Sequence, residues 1–339
     1  MPTNSTRKNI ISVIITTYNQ ESTIARTLDS VLAQRCQWPI EIVLGEDCST
    51  DGTRDICRQY AEKHADTIRL FANERNKGVI DNYFNCLLQC KGKYIADCAG
   101  DDFWTDEYKL QKQLEVMEAH PEVTIAHTEW LYYDETTNAT TTPPPAVFTR
   151  PLTDGKLMLP AIITQTNRPV VHLCTSLYRA ETILKAYHDD TFMFRNKEFG
   201  CEDLQITAAL ANAGVVAYIP DITLNYSVGH SSVSAQPDDR RQFAFVESVT
   251  SLSHYLAKKY NVSHEATQEY FTSRLFALTM HAFRAEDKQL LEKVDKCQTK
   301  WNAKANLKQR LLRTLLRSQA MWKILLAIRK IVVGSRIKH

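Results

Sequence analysis

The stretch YIADCAGDDFW, Tyr94–Trp104, decides how this chain is read. A strand-like run ends abruptly in two adjacent carboxylates, Asp101 and Asp102, followed by two aromatics. Paired carboxylates at a strand end are suited to hold a divalent cation against a phosphate, because hard cations prefer oxygen ligands. The same acids also suit a turn, where they would accept from the free N–H groups of a following helix. At Ala99, where a further acid would complete the set, there is a bare methyl. A working metal site, a damaged one and a plain turn are all open at this point.

Working backwards, strand and helix signals alternate with short punctuation. ISVIITTY (11–18) is a β-branched run suited to a buried parallel strand. Residues 19–22 open a helix whose Ile24, Leu28, Val31 and Leu32 share one face. IEIVLGED (40–47) is a second strand, and STDGTRDICRQYAEKH a second helix with polar residues at its start. IRLFAN, then NKGVIDNYFNCLLQCKG, then KYIADC add a strand, a helix and a fourth strand. This alternation predicts a parallel sheet with right-handed crossovers and helices on both faces. Ligands of such sheets sit beyond the carboxyl ends of the strands. Thr16 and Tyr18, then Glu46 and Asp47, then Asp101 and Asp102 therefore converge although they lie far apart in sequence. No GxGxxG or GxxxxGK[ST] occurs, which disfavours a dinucleotide fold and a P-loop.

Working forwards, TDEYKLQKQLEVMEAHP reads as a helix capped by Thr105 and stopped at Pro121. VTIAHTEWLYYD is a longer strand, and ETTNATTTPPPAVFTRP a polar, proline-rich excursion expected to be a mobile loop. HLCTSLYR is expected as a strand, CEDLQITAALANAG as a helix and VVAYIPDITLNYSV as a strand. From about Asp238 every signal is helical.

The 339 residues suffice for two domains, and 44% hydrophobic with 24% charged residues is ordinary for a globular protein. A net charge of +2 points to no particular partner. Nine cysteines form no CxxC pair, which predicts reduced thiols in a cytoplasmic protein rather than a disulfide framework or zinc site. No signal peptide or membrane-spanning stretch is expected.

Taken together, VIITTYNQESTIARTLDSVLAQ, IEIVLGEDCSTDGT and KGKYIADCAGDDFW resemble the signature series of family 2 glycosyltransferases. GDDFWTDEYKLQKQ is similar to bacterial members that build surface polysaccharides. The resemblance covers roughly residues 10–235 and implies a GT-A fold: an α/β, Rossmann-like, mainly parallel sheet flanked by helices. It implies an inverting transfer from a nucleotide-sugar donor, UDP-sugar favoured, to a glycan or lipid-linked acceptor. The expected organisation is a catalytic domain over 1–235, with a donor half (10–104) and an acceptor half (105–235), followed by a helical, basic region over 236–339.

By the same resemblance Thr16, Tyr18, Glu46, Asp47 and Asp101 contact the donor, Asp47 through its base. Asp101, Asp102 and His230 hold Mn2+ or Mg2+, with the donor's diphosphate completing the shell. An inverting transfer needs a base for the acceptor hydroxyl. Of the pair in CEDLQ, Asp203 is expected to be that base and Glu202 to bind or orient the acceptor. Thr175, Ser176 and Arg179 are candidates for the acceptor side. Family members often carry an acid where this chain has Ala99, and Asp97 lies deeper in the strand. That departure keeps a second reading open, a catalytically silent nucleotide-sugar-binding or scaffold protein of the same fold. A sugar-phosphate nucleotidyltransferase is disfavoured, since the glycine-rich N-terminal loop with its arginine is missing.

No acid follows Asp295, while lysines and arginines recur between leucines and isoleucines at helical spacing. Such a basic amphipathic helix suits a membrane surface, with Trp322 near the headgroups and the protein at the inner face of the cell membrane. A packed helical appendage or an oligomer contact fits the same pattern. Nothing along the chain supports a nucleic-acid role.

Overall fold

A computed structural model describes residues 8–166, 168–229 and 238–336. The chain divides into two compact units, 1–230 and 231–339.

The first unit begins with β1 (Lys8–Thr17), α1 (Ile24–Leu32), β2 (Ile40–Glu46), α2 (Thr53–Lys63), β3 (Ile68–Ala72), α3 (Val79–Gln89) and β4 (Gly92–Asp97). It continues with β5 (Phe103–Trp104), α4 (Lys109–Ala119), β6 (Val123–Asp134), β7 (Ala139–Thr141), β8 (Leu152–Asp154) and α5 (Gly155–Ile163). After a short 3-10 turn at Leu173–Thr175 come β9 (Leu177–Arg179), α6 (Ala180–Asp189), α7 (Thr191–Arg195), α8 (Asp203–Ala213) and β10 (Val215–Val228).

The strands form one sheet in the order β3-β2-β1-β4-β9-β6-β10-β5, with β7 on β6 and β8 on β10. β1, β2, β3 and β4 pair in parallel, as do β6 and β10, so the sheet is mixed but mainly parallel. The short β9 runs antiparallel to both β4 and β6, which leaves those two pointing the same way. The carboxyl ends of β1, β2, β4, β6 and β10 consequently share one rim. Apolar β-branched residues on β1 and β2, among them Ile11, Val13, Ile15 and Ile42, are fully buried against α1 and α4 residues such as Leu28 and Leu114. Burial on both faces is why these strands read as continuous apolar runs.

Local departures from the sequence reading have local causes. The helix after Trp104 starts at Lys109 rather than behind Thr105, and the Asp106 carboxylate accepts from the Tyr108 N–H at its start. HLCTSLYR is mostly a tight turn, because the carbonyl of His172 collects the N–H and hydroxyl of Thr175 and the hydroxyl of Ser176. The proline-rich excursion is anchored: β7 pairs with the end of β6, and Arg168 donates to the carbonyl of Pro144. Helices α5, α6 and α7 carry short or uniformly apolar patterns that periodicity alone does not separate from strand or loop.

The second unit holds α9 (Asp239–Lys259), α10 (His264–Arg284), α11 (Lys288–Lys300), α12 (Leu307–Leu316) and α13 (Gln319–Arg336). Its core contains Phe243, Phe271, Leu278, Trp301 and Trp322. Trp322 is 5% exposed and its Nε1 donates to the carbonyl of Phe283 at 3.1 Å. It is therefore a core residue of the helical unit, and the expectation that it lies near lipid headgroups is corrected. Among the described residues, no helix is long and apolar enough to cross a membrane.

Candidate active site

The loop that carries the acid pair is fixed by close approach to the end of β1. Gly100 donates its N–H to the carbonyl of Thr16, and a Cβ on Gly100 would lie 2.4 Å from Gln20 Oε1 and 2.8 Å from Thr17 Cβ. Glycine is thus required between Ala99 and Asp101. The hydroxyls of Thr23 and Thr27 hold the Gly100 carbonyl at 2.9 and 3.0 Å, and Thr27 also holds the carbonyl of Asp102 at 2.6 Å.

The two acids in this loop are not equivalent. Asp101 is half-buried, and its backbone carbonyl accepts from the Ser227 hydroxyl at 2.6 Å and from Arg26 at 3.2 Å. Asp102 is fully buried; its Oδ1 accepts from the Ser227 N–H at 2.9 Å, whereas its Oδ2 is buried without a hydrogen-bond partner. Burial, and next the charge of Asp101, hold the Asp102 carboxyl well above the usual carboxylate range. An orphaned carboxylate oxygen beside a second carboxylate suits a hard cation, which takes oxygen ligands and stabilises the ionised form. Two acids do not make a full shell: among the described residues no cluster of three or more His, Cys, Asp or Glu could hold a metal. His230 lies outside the described residues.

Tyr226, on β10, joins the acid pair to the third candidate carboxylate. Its hydroxyl is raised above the usual tyrosine value by burial first, and then by the charges of Asp102, Asp101 and, further down, Asp203. Three acids from two parts of the chain thus act on one side chain. Asp203 opens α8 and its Oδ1 accepts from the Leu204 N–H at 2.8 Å. Burial raises its carboxyl, against hydrogen bonds from Cys201 and the helix N-terminus. Glu202 is pushed up to about 8, by burial first and then by the charge of Asp203.

The donor-side candidates separate. Thr16 is half-buried and Tyr18 is 45% exposed at the rim, open to a ligand. Asp47 is 4% exposed and already serves three donors: Asn73 Nδ2 and the Lys77 N–H on Oδ1, at 2.9 Å each, and the Gly78 N–H on Oδ2 at 2.8 Å. It shapes the 73–78 loop beside the base-binding position expected of it. Glu46 is fully buried with one oxygen on the Ser49 N–H and the other on Arg54, both at 2.5 Å. It presents no free oxygen to a ligand, so it supports the loop rather than touching the donor.

Thr175 and Ser176 are fully buried with their hydroxyls on the carbonyl of His172. Arg179 spends its guanidinium on the carbonyls of Val123, Met117 and His120. These three fasten elements together and are corrected as acceptor contacts. Sequence reading missed Arg26, which bridges Glu135 at 2.5 Å and lies 4.1 Å over the Phe103 ring, directly against the acid loop. It also missed Tyr226. Neither carries a local signal, since a lone Arg in a helix and a lone Tyr in a strand are ordinary.

Comparisons with known proteins bear on the family and the fold. The family model described as glycosyl transferase family 2 matches residues 12–183. The Escherichia coli protein named UDP-Glc:alpha-D-GlcNAc-diphosphoundecaprenol beta-1,3-glucosyltransferase WfaP is 36% identical over 110 residues, covering 32% of this chain and 41% of that one. More generally, the chain spans about two fifths of the length of the curated relatives it matches. In fold it is similar to S. aureus TarS 1-349, solved in complex with UDP-GlcNAc, with a TM-score of 0.53 at 16% identity over 86% of this chain and 87% of that one. It is similar also to the mannosyltransferase PcManGT of Pyrobaculum calidifontis, solved with GDP-Man and Mn2+, with a TM-score of 0.52 at 17% identity over 97% of this chain and 86% of that one. These likenesses establish the GT-A-type fold expected from the sequence. With the family model matching half of its length, the chain belongs to glycosyl transferase family 2.

Proposed function

We propose that this chain transfers a sugar, with inversion, from a nucleotide-sugar donor to a glycan or lipid-linked acceptor in surface polysaccharide biosynthesis, and that UDP-sugars are its donors. The observation that carries the reading is the acid loop at the sheet rim, where the fully buried Asp102 keeps one oxygen without a partner beside Asp101. That oxygen suits a diphosphate-bound cation, and Asp203, at the start of α8, supplies a candidate base. The named activity of WfaP and the UDP-GlcNAc bound by TarS favour a UDP-sugar, and the Mn2+ of PcManGT favours a divalent cation.

In this reading Asp101 and Asp102, with His230, hold Mn2+ or Mg2+. When bound, the cation offsets the negative charge that builds on the diphosphate as it leaves. Thr16 and Tyr18 line the donor pocket, and Asp47 sets the 73–78 loop against the base. Asp203 accepts the proton of the acceptor hydroxyl as its oxygen bonds to the anomeric carbon. The bond from that carbon to the diphosphate oxygen breaks in the same step, and its electron pair leaves with the nucleoside diphosphate.

The test is a panel of UDP-, dTDP- and GDP-sugars with Mn2+, read as released nucleotide. Turnover of one donor, lost in Asp203→Asn, supports transfer. Metal-dependent UDP binding with no donor turned over supports a silent binding protein instead.

The second unit is proposed to rest on an anionic membrane surface. Leu307, Leu311, Ile324 and Ile328 are exposed, among the exposed Lys304, Lys308, Arg310, Arg317 and Lys323. Apolar and basic side chains together are what such a surface requires.

A further inference from the structure

One face of α1 grips the backbone of the acid loop residue by residue. Thr23 at its N-cap, then Arg26, Thr27 and Ser30, follow the three- and four-residue spacing that puts side chains on one side of a helix. Thr23 and Thr27 hold the carbonyl of Gly100, Arg26 Nη2 that of Asp101 at 3.2 Å, and Thr27 that of Asp102. Ser30 Oγ then accepts from the Trp104 N–H at 3.1 Å. Three consecutive carbonyls around the acid pair are thus fixed by one helix.

Arg26 also reaches beyond the loop. Its guanidinium donates to both carboxylate oxygens of Glu135, just past the end of β6, at 2.5 and 3.4 Å. It lies 3.3 Å from the Ser227 hydroxyl on β10, which itself donates to the Asp101 carbonyl at 2.6 Å. It sits 4.1 Å from the Phe103 ring centre and 5.2 Å from that of Tyr133, and these two rings meet edge to face. One planar group therefore ties the acid loop to the ends of β6 and β10. A guanidinium suits the task, because its rigid fork serves several acceptors while its face stacks on rings.

A positive charge beside a cation site would by itself repel the cation. Glu135 offsets that charge, in a pair whose side chains are 32% and 22% exposed.

We propose that Arg26 is a positioning residue for the cation site, bracing the acid loop so that Asp101 and Asp102 are placed before a divalent cation arrives. Glu135 holds the brace and cancels its charge. This role rests on the reading of Asp101 and Asp102 as cation ligands given above. With Ala99 in place of a further acid, the site depends on those two carboxylates being held still.

The experiment titrates Mn2+ into the full chain with and without UDP, read by the six-line electron paramagnetic resonance spectrum of free Mn2+ and corrected for UDP alone. Losing a support behind a metal ligand weakens a site about 10–100-fold. Arg26→Met is expected to weaken Mn2+ uptake by that much, although it removes a nearby positive charge. A purely electrostatic neighbour gives the opposite sign, so unchanged or tighter uptake in Arg26→Met overturns the proposal. Glu135→Gln keeps an acceptor for Arg26 but leaves its charge uncancelled. It should weaken uptake, and by less in the Arg26→Met background; an equal loss in both overturns the part given to Glu135.

Hydrogen exchange supplies a readout that needs no metal. In Arg26→Met the amides of 100–104 and of Ser227 should exchange at least about fivefold faster, while those of β2 keep their wild-type rates. Loop amides that keep the wild-type rate would overturn the brace. If the wild type takes up no Mn2+ with or without UDP, the cation reading fails, and the exchange rates still decide the brace. If Arg26→Met does not fold, Arg26→Lys, which keeps the charge but not the fork, gives the same two readouts.

Discussion

The backbone N–H of Ser227 donates to Asp102 Oδ1 at 2.9 Å, tying the end of β10 to an acid 125 residues earlier. That bond divides the labour of the acid pair. Asp102 holds the rim together and has one oxygen left, whereas Asp101 is only half-buried. Asp101→Asn is expected to abolish Mn2+-dependent turnover with stability changed by less than about 0.5 kcal/mol. Asp102→Ala strands the Ser227 N–H and is expected to cost about 1–3 kcal/mol in addition to activity. Thermal melting alongside the turnover assay checks both.

Asp47→Ala removes the acceptor for Asn73, Lys77 and Gly78 at once. Gly78 sits at φ +81°, a conformation that the 73–78 loop holds through those contacts. The expected outcome is a loss of about 2–4 kcal/mol in stability and at least about tenfold weaker UDP binding. Calorimetric titration with UDP reads the second; unchanged affinity would confine Asp47 to shaping the loop.

Much of this was legible in the chain because strands ending at one rim had strong local signals. ISVIITTY, IEIVLGED and KYIADC each carry an apolar run that stops at a polar residue, and topology alone brings those ends together. The acid pair was legible for the same reason. Non-local partners were not. Nothing in ATTTPPPAVF announces that Arg168 holds the Pro144 carbonyl, and nothing near Tyr226 announces three acids around it. Glu46 and Asp47 look alike in sequence, yet only the fold shows that Arg54 occupies one and a loop of amides the other. Asp97 reads in the sequence as lying deeper in the strand than the acid pair, but its tyrosine partners lie 14 and 81 residues away, beyond any local pattern.

Asp97 also leaves a signature in stability. Its carboxyl titrates near 3.8 when free but is raised to about 7 in the fold. A raised carboxyl contributes stability below its free value that is lost as pH rises through its folded value. Asp97→Asn has no such loss, so the variant should gain on the wild type steadily between those two limits and then level off. The comparison must be made pH by pH. His127 and His172, both lowered to about 4 by burial and the Arg168 charge, act with opposite sign: their contribution is lost as pH falls towards about 4. Denaturant unfolding of the two proteins across this range tests the difference.

The membrane proposal needs a gentle variant. Truncation after Asp295 would remove Trp301, Leu316 and Trp322 from the core of the helical unit. Leu311→Gln with Ile324→Gln instead changes two exposed positions. Co-sedimentation with phosphatidylglycerol vesicles should fall at least about fivefold while UDP-sugar turnover in solution persists. Equal sedimentation would remove this face as a membrane contact.

The central claim is that Asp203 takes a proton in a metal-dependent transfer. The most direct measurement is nucleotide release from a UDP-sugar panel with Mn2+, for wild type and Asp203→Asn under single-turnover conditions. The account predicts release from at least one donor by the wild type, loss of that release on chelation, and a rate lowered by about 10²–10⁴ in Asp203→Asn. Asp203→Asn turning over a donor at the wild-type rate would contradict it.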